Sequence, residues 1–400
     1  MRWIHLHRPQ FHFPFGSLLP HQVNRSVKEL FASVGILGFA LSAASLFEPI
    51  YLYTLRYSLL QIVGYYAIVY VLYFFLIPLG AKFALRYGVE RSILAGSILL
   101  IFYYLAFFGI AQNPALIFLA AALAAVYKMF YWVAYHADFA QYSTKEEVGR
   151  EVGGMSVVIS ITAIFGPVAG GAVIAAFGFP VLFVIVAALI VLSNIPLLFS
   201  RAKPARTSFS YCDAYRRLVR KENFRRVMTA LGYGEDFLVC AFWPIFIYLI
   251  VGGAQNVGII VTFSSLLTSL ILLYIGRLTD LKNKYSVLRA GAALKSIVWI
   301  LRLAVVTGAQ VFLLDTLYRV ASGSTEYPIL TETYNKARES NVMAGVVLFE
   351  MALVVGKLLT MAAVTLLLWQ YPSSPWTSIF VLASIVSFFY AALSFRSAKT

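Results

Sequence analysis

Long apolar runs recur along the whole chain, and no other feature of the sequence restricts its fold as strongly. Many of them reach the ~20 residues that a helix needs to cross the hydrocarbon core of a bilayer. Of the 400 residues, 61% are hydrophobic and only 12% are charged. A soluble protein would carry about twice that charged fraction. Since a β-barrel would show ~10-residue alternating segments instead, the runs predict an all-α integral membrane protein.

We predict twelve transmembrane helices from these runs, at 30–54, 59–80, 92–111, 115–137, 152–177, 180–200, 227–251, 257–279, 286–306, 310–331, 341–369 and 376–396. The connections alternate between short, nearly uncharged loops and basic ones. The basic connections and the two tails hold 26 of the 32 Lys and Arg residues, whereas the short connections hold only Arg56. Basic loops stay on the cytoplasmic side of a membrane. The pattern therefore predicts that both termini are cytoplasmic, in an inner membrane of bacterial type.

The longest basic connection divides the chain into two halves of six spans each. We predict a cytoplasmic N-terminal tail at 1–29, a six-helix bundle at 30–200, a basic cytoplasmic linker at 201–226 and a second six-helix bundle at 227–396. The halves repeat: LFEPIYLY aligns with FWPIFIYL, and the anchoring residues Pro49 and Pro244 are about 195 positions apart. Internal repeats on this scale are typical of membrane transporters.

The segment GRLTD closes the eighth predicted span, and two basic residues follow it within four positions. Gly276 permits close helix approach, and Asp280 at the helix end is placed to pair with neighbouring cations. The segment resembles the loop signature of the major facilitator superfamily. That resemblance implies two six-helix bundles that face each other across a central cavity and work by alternating access. It also implies that the first, fourth, seventh and tenth spans line the cavity.

The corresponding place in the first half keeps Arg86 and Gly88 but has Leu85 where the aspartate is expected. The cytoplasmic gate of that half therefore departs from the family pattern.

A second motif, GPVAGG, contains Gly166, Pro167 and Gly170. It resembles the fifth-helix motif of the superfamily's drug–proton antiporters, and a general helix-packing face of small residues is the alternative interpretation.

Eleven Asp, Glu, Lys and Arg residues lie inside the predicted spans, at least four residues from either end: Glu48, Lys128, Glu235, Asp236, Lys295, Arg302, Asp315, Arg319, Glu326, Glu350 and Lys357. Each costs at least ~2.5 kcal/mol near the bilayer centre unless it faces a cavity or a partner. Seven of them lie in the four spans that the resemblance places around the cavity. We expect Asp315 to pair with Arg302 at a similar depth, or with Arg319 four residues along the same helix. We expect His136 to be a hydrogen-bonded interfacial histidine.

Two acidic residues are candidates for proton coupling. Glu48 precedes a proline, which frees a backbone carbonyl nearby, and a carboxylate in a water-accessible cavity can bind a proton or a cation. Asp236 and Glu235 are neighbours that point ~100° apart on a helix, so only one is expected to face the cavity centre, and we favour Asp236. A structural ion pair is the alternative for Glu48.

The candidate substrate-binding residues are Lys128, Tyr131, Trp132, Tyr135, Trp243 and Arg319. The repeat places Lys128 and Arg319 at nearly equivalent positions in opposite halves, which suits an anionic solute, and the aromatic rings would enclose its organic part. The alternative is that the two cations neutralise Glu48, Glu235 or Asp236.

These observations predict a secondary active transporter for a small organic solute, with proton-coupled antiport favoured over uptake by proton symport. A non-transporting membrane sensor with the same fold is the alternative of another class. We expect membrane lipids as partners, a monomer, no nucleic acid, no enzymatic activity, and no cofactor or metal. Three N-terminal histidines match no established metal site.

Overall fold

The structure is a computed structural model that describes residues 25–142, 162, 164–197, 209–279, 284–339 and 341–394. Within these ranges all regular secondary structure is helical. The helices are α1 (Arg25–Ser45), α2 (Glu48–Thr54), α3 (Leu59–Tyr87), α4 (Val89–Gly109), α5 (Leu116–Tyr142), α6 (Ile164–Phe177), α7 (Phe179–Leu197), α8 (Tyr211–Val219), α9 (Phe224–Leu231), α10 (Gly234–Ala241), α11 (Trp243–Val251), α12 (Ala254–Thr279), α13 (Lys284–Leu301), α14 (Gly308–Arg338), α15 (Val342–Gln370) and α16 (Pro375–Ser387). Short 3₁₀ turns at Lys221–Asn223, Arg302–Ala304 and Phe388–Ser394 extend α9, α13 and α16.

Eight helical stretches among the described residues are long and apolar enough to cross a membrane. Two shorter apolar helices, α6 and α7, coincide with the fifth and sixth predicted spans. The ninth and tenth predicted spans correspond to α13 and α14, which are less apolar because they carry several charged residues. Every predicted span thus contains helix, and the protein is a multi-pass, all-helical membrane protein. The count of twelve crossings in two bundles of six stays a prediction.

The prolines that anchor the sequence repeat break two spans at matching positions. The helix α2 begins at Glu48, with Pro49 as its second residue, directly after a short turn that ends α1. The helix α11 begins at Trp243, with Pro244 as its second residue, directly after α10. A proline has no N–H to donate to the preceding turn but is well tolerated in the first turn of a helix. Each span therefore restarts at its proline, and the residue before that proline projects from the new N-terminus.

A third proline, Pro78, lies inside α3, near the place where the predicted linker contacts this helix. Without an N–H at this residue, the carbonyl of Phe74 lacks its usual helical donor. The hydroxyls of two tyrosines on α8 approach this place. Tyr211 donates to the Phe75 carbonyl at 3.0 Å, and Tyr215 donates to that of Phe74 at 3.5 Å. Part of the linker thus forms a helix that lies on α3, and it also contacts α15.

Contacts between the two halves involve four pairs of helices in particular. α3 packs along α15, α5 contacts α14 and α15, and α2 contacts α11. α6 approaches α12 closely, since the backbone N–H of Val168 donates to Thr262 Oγ1 at 3.1 Å. A side chain at Gly258 would overlap the backbone of Pro167. The GPVAGG segment therefore meets the second half at Pro167.

The same segment packs on α1 within its own half. A Cβ atom at Gly166 would overlap Ser42 and Ala43, and one at Gly170 would overlap the carbonyl of Ala43 and the ring of Phe47. The two glycines stand four residues apart and so share one helix face. Their close approach to α1 explains why small residues occupy these positions, whatever role they have in gating.

We expect Gly170→Ala to destabilise the protein by about 1–3 kcal/mol, because the added methyl group would force α6 away from α1. The measurement is the midpoint of thermal unfolding of the purified protein in detergent. Gly64→Ala on α3 is the control, because a Cβ there meets no atom within 4 Å. Equal midpoints for the two variants would contradict the packing described for α6.

Candidate functional site

Glu48 is held by tyrosine hydroxyls of the first half. Its carboxylate accepts a hydrogen bond from Tyr103 at 2.8 Å and another from Tyr104 at 2.9 Å, both on α4. Tyr65 on α3 donates in turn to the Tyr103 hydroxyl at 3.2 Å. The position in the first turn of α2 adds the favourable field of a helix N-terminus. The carboxylate is thus stabilised by dipoles, and no described cation lies within 4.0 Å of it.

Asp236 has a direct cationic partner from another helix. The Lys357 ammonium on α15 forms an ion pair with the Asp236 carboxylate on α10 and donates to the Tyr70 hydroxyl at 3.1 Å. The side chain of Asp236 is 34% exposed, whereas that of its neighbour Glu235 is fully buried. Of the two adjacent acids, Asp236 is therefore the one within reach of a solute or of water.

Lys128 approaches the same place from α5. Its ammonium lies 5.5 Å from the centroid of the Tyr70 ring, and that of Lys357 lies 5.0 Å from it. The charge of Lys128 acts on both Glu48 and Asp236. No described carboxylate is within 4.0 Å of its ammonium. Glu48, Tyr70, Lys128, Asp236 and Lys357 therefore form one group, the central cluster, with members from both halves.

A second group of buried polar residues joins the two halves. Glu350 on α15 accepts a hydrogen bond from Tyr73 on α3 at 2.9 Å and lies 3.1 Å from His136 Nε2 on α5. The other ring nitrogen of His136 is 2.7 Å from the hydroxyl of Tyr334 on α14. His136 is thus buried and hydrogen-bonded on both sides. The sequence indicated the hydrogen bonding but not the carboxylate partner 214 positions away.

Arg302 is enclosed by aromatic rings, and the ion pair predicted with Asp315 is not formed. The guanidinium carbon lies 3.7 Å from the centroid of the Trp243 ring, 4.0 Å from that of Trp299 and 4.5 Å from that of Tyr318. Among the described residues none of its three nitrogens has a hydrogen-bond partner. Cation–π attraction is strongest when the cation is removed from water, as it is at this fully buried position.

Asp315 instead binds Arg319, the other partner that the sequence allowed. Arg319 Nε donates to one carboxylate oxygen at 2.7 Å, and Trp243 Nε1 donates to the other at 2.9 Å. The Arg319 side chain remains 33% exposed. Trp243, in contrast, is 3% exposed and lies between Arg302 and Asp315, so its contact with a solute would require this packing to open.

The aromatic residues predicted around Lys128 form two stacked pairs on α5 that meet edge to face. The rings of Tyr131 and Tyr135 are nearly parallel, with centroids 5.9 Å apart. Trp132 stacks on His136 at 5.8 Å. Tyr131, Trp132 and Tyr135 are partly exposed, and His136 is buried. These side chains of α5 therefore lie between the central cluster and the Glu350 group.

The remaining predicted residues concern gating. Gly88 has a φ of 97° between α3 and α4, a conformation that favours glycine, and Arg86 is exposed with its guanidinium 5.3 Å from the Tyr87 ring. Gly276 lies in α12. Asp280 and the N-terminal histidines lie outside the described residues. Within the described part of the chain no group of three or more His, Cys, Asp or Glu is arranged to hold a metal.

Tyrosines on α3 and α4 were not recognised in the sequence as candidates. Tyr65, Tyr70 and Tyr73 on α3, with Tyr103 and Tyr104 on α4, bind the buried charges described above. The sequence could have indicated these tyrosines, because a hydroxyl group inside an apolar span needs a hydrogen-bond partner. Which residue becomes the partner depends on how each helix is rotated about its axis, and the sequence does not give that rotation.

The sequence matches the profile described as Major Facilitator Superfamily over residues 30–231. The chain belongs to this superfamily of membrane transporters. Its structure is similar to the crystal structure of the E. coli fucose:proton symporter FucP, with a TM-score of 0.62 and 15% sequence identity. The similarity covers 93% of this chain and 100% of that chain. No curated protein matches the sequence.

The fully buried pair of Glu235 and Lys295, 3.2 Å apart, gives a test of this network. We expect Glu235→Gln to cost about 3 kcal/mol, because it leaves the buried Lys295 with only the partly exposed Glu326 carboxylate, 4.0 Å away, as an ion-pair partner. Adding Lys295→Met should restore most of that loss, as measured by thermal unfolding in detergent.

The exposed pair of Lys336 and Glu339 is the control, since breaking a surface pair costs about 1 kcal/mol or less. If the Glu235→Gln and Lys295→Met effects simply added, the two groups would not interact as the structure shows.

Proposed function

We propose that this member of the superfamily is a secondary active transporter that moves a small organic solute by alternating access. Transport is coupled to protons through Glu48 and Asp236. The observation that carries the proposal is the central cluster, in which Lys128 and Lys357 from opposite halves lie against the Tyr70 ring while Asp236 pairs with Lys357. A non-transporting sensor would have no need to place charged groups here, where each is costly without a partner or a cavity.

Glu48 and Asp236 suit proton coupling in different ways. Glu48 is held by neutral tyrosine hydroxyls, which can turn to accept a hydrogen bond from a protonated carboxyl group. It can thus change its charge without losing its contacts. Asp236 faces Lys357, so protonation would release that lysine. A proton on Asp236 leaves Lys357 without its ion-pair partner, and a proton on Glu48 removes a negative charge from the cluster, so proton binding is linked to the affinity for a charged solute.

Lys128 is the group that we assign to solute recognition, together with the exposed face of Tyr131, Trp132 and Tyr135. Its ammonium is held by a ring and has no described ion-pair partner, so it is available to an anionic or polar group. Arg319 is the second cationic candidate because a third of its side chain is exposed. We propose that aromatic rings enclose the organic part of the solute while one of these cations binds its polar end.

Efflux by proton antiport is the direction that we favour, as the packing of GPVAGG on α1 and α12 fits the motif of the antiporters. Uptake of a small anion by proton symport is the second candidate, and the available Lys128 ammonium favours it. FucP is named a fucose:proton symporter, but a likeness at 15% identity concerns the fold alone. The coupling proposed here rests on the residues of this chain.

The cell context of the proposal follows from the charge pattern of the loops. We propose that the protein works as a monomer in an inner membrane, with both termini cytoplasmic and with membrane lipids and the solute as its partners. The proposed mechanism needs no cofactor and no nucleic acid.

The first experiment measures proton movement in liposomes that contain the purified protein. With a pH gradient imposed, pools of candidate solutes are added while an internal dye reports pH. We expect solute-dependent proton flux in the wild type and only background flux in Glu48→Gln, which keeps hydrogen-bonding groups at that position but holds no exchangeable charge.

Glu339→Gln serves as the control because its side chain is 62% exposed and lies outside the cluster. Solute movement without proton flux in the wild type would remove Glu48 from the proposed role while leaving transport in place. The absence of any solute movement would favour the sensor.

Lys128→Met should raise KM for an anionic solute by roughly 10-fold to 100-fold, which corresponds to losing a charge-assisted hydrogen bond of about 1.5–3 kcal/mol. Uptake of radiolabelled solute into the same liposomes measures this. Lys336→Met, an exposed cation at the end of α14, is the matched control. An equal rise in KM for a neutral solute would show that Lys128 acts through structure and does not bind the anion.

A further inference from the structure

The turn between α8 and α9 contains a cavity of about 510 Å³ that the transport mechanism does not use. We call residues 218–228 the elbow. Five apolar and two cationic side chains line the cavity. The cations are Arg220 and Lys221. The most exposed of the apolar residues are Val219, at 84%, and Phe224, at 60%.

The elbow carries a strong excess of positive charge. Between Ser210 and Met228 there are six cationic residues and only two carboxylates, Asp213 and Glu222. Asp213 is bonded by Arg217 at 2.7 Å and by Arg220 at 3.1 Å. The hydrogen bond from Arg217 holds the pKa of the Asp213 carboxyl below its usual value, so this acid is ionised at neutral pH. Arg220 also lies 3.7 Å from Glu222, whereas no described carboxylate lies within 4.0 Å of the Lys221 ammonium.

The length of the neighbouring span places the elbow among lipid headgroups. The candidate span Lys221–Val251 has 31 residues, divided among α9, α10 and α11. A hydrocarbon core ~30 Å thick is crossed by about 20 helical residues. The span is therefore longer than the core requires, and its charged end, where Arg220 and Lys221 stand, lies in the headgroup layer. The docking of α8 near Pro78 of α3 agrees with this depth.

We propose that the elbow binds one anionic phospholipid. Its phosphate contacts Arg220 and Lys221, and its acyl chain covers Val219 and Phe224. Lysines and arginines at the membrane surface attract anionic headgroups, and an amphipathic helix with exposed apolar residues buries them in the acyl boundary. This site is separate from the central cluster and does not depend on the proposed function. Because α8 contacts both α3 and α15, the bound lipid lies beside a contact between the two halves.

Native mass spectrometry of the full-length protein in mild detergent tests the proposal. The probes are phosphatidylglycerol, phosphatidylcholine and inorganic phosphate. We expect one retained phosphatidylglycerol, and we expect the double substitution Arg220→Gln with Lys221→Gln to weaken its binding roughly 30-fold. The matched control is Arg216→Gln with Arg225→Gln, which removes the same charge from exposed positions on the same helices outside the cavity.

A second variant, Phe224→Ser, keeps the proposal testable if the double variant does not fold. Its side chain is mostly exposed, so folding should be retained while lipid binding falls and phosphate binding does not change. Equal losses in the test and control doubles would overturn the proposal in favour of diffuse charge attraction. Equal retention of phosphatidylcholine would overturn it as well, and so would displacement of the lipid by inorganic phosphate.

Discussion

A charge taken out of water has to be compensated where it stands, and the packing of this protein follows from that requirement. Glu235 pairs with Lys295, Asp236 with Lys357, and Asp315 with Arg319. The first two pairs connect separate helices, so each fixes how far one helix is rotated against the other. Where no opposite charge is available, aromatic groups supply the compensation, as tyrosine hydroxyls do for Glu48 and ring faces do for Arg302. The buried charges therefore organise the helices as well as provide candidates for transport.

The two halves share a backbone pattern and differ in the chemistry placed on it. Each half restarts its first span at a proline, and the residue before that proline begins a new helix. In the first half this residue is Glu48, which faces the tyrosines next to the central cluster. In the second half it is Trp243, which closes the cage around Arg302. One half thus presents a titratable group at a position where the other presents a structural aromatic ring, so at this position only the first half offers a group that can bind a proton.

Much of the helical framework could be predicted from the sequence, because apolar length and proline position act locally. Each predicted span contains helix, and Pro49 and Pro244 mark real breaks. The pairing of charges could not be predicted with the same success. Arg302 and Asp315 were expected to meet at a common depth, yet Asp315 binds Arg319 on its own helix and Arg302 lies among three aromatic rings. Glu350 and His136 are far apart in sequence, and neither helix alone indicates which of its faces meets the other. Such contacts depend on helix rotation and on the fit of large side chains, which the local pattern does not contain.

The contacts between the halves differ in kind at the two ends of the molecule. Near the short loops, α6 and α12 contact each other through the backbone of Pro167 and Gly258, and no charged side chain takes part in the contacts described there. Toward the opposite end, His136 and Tyr73 of one half hold Glu350 of the other. Separation of α6 from α12 breaks the hydrogen bond of Val168 to Thr262 and van der Waals contacts, whereas separation at the other end exposes the buried Glu350 carboxylate to water. Under the proposed alternating access, the second opening would thus carry the cost of separating and hydrating charged groups, a cost that salt on that side of the membrane would reduce.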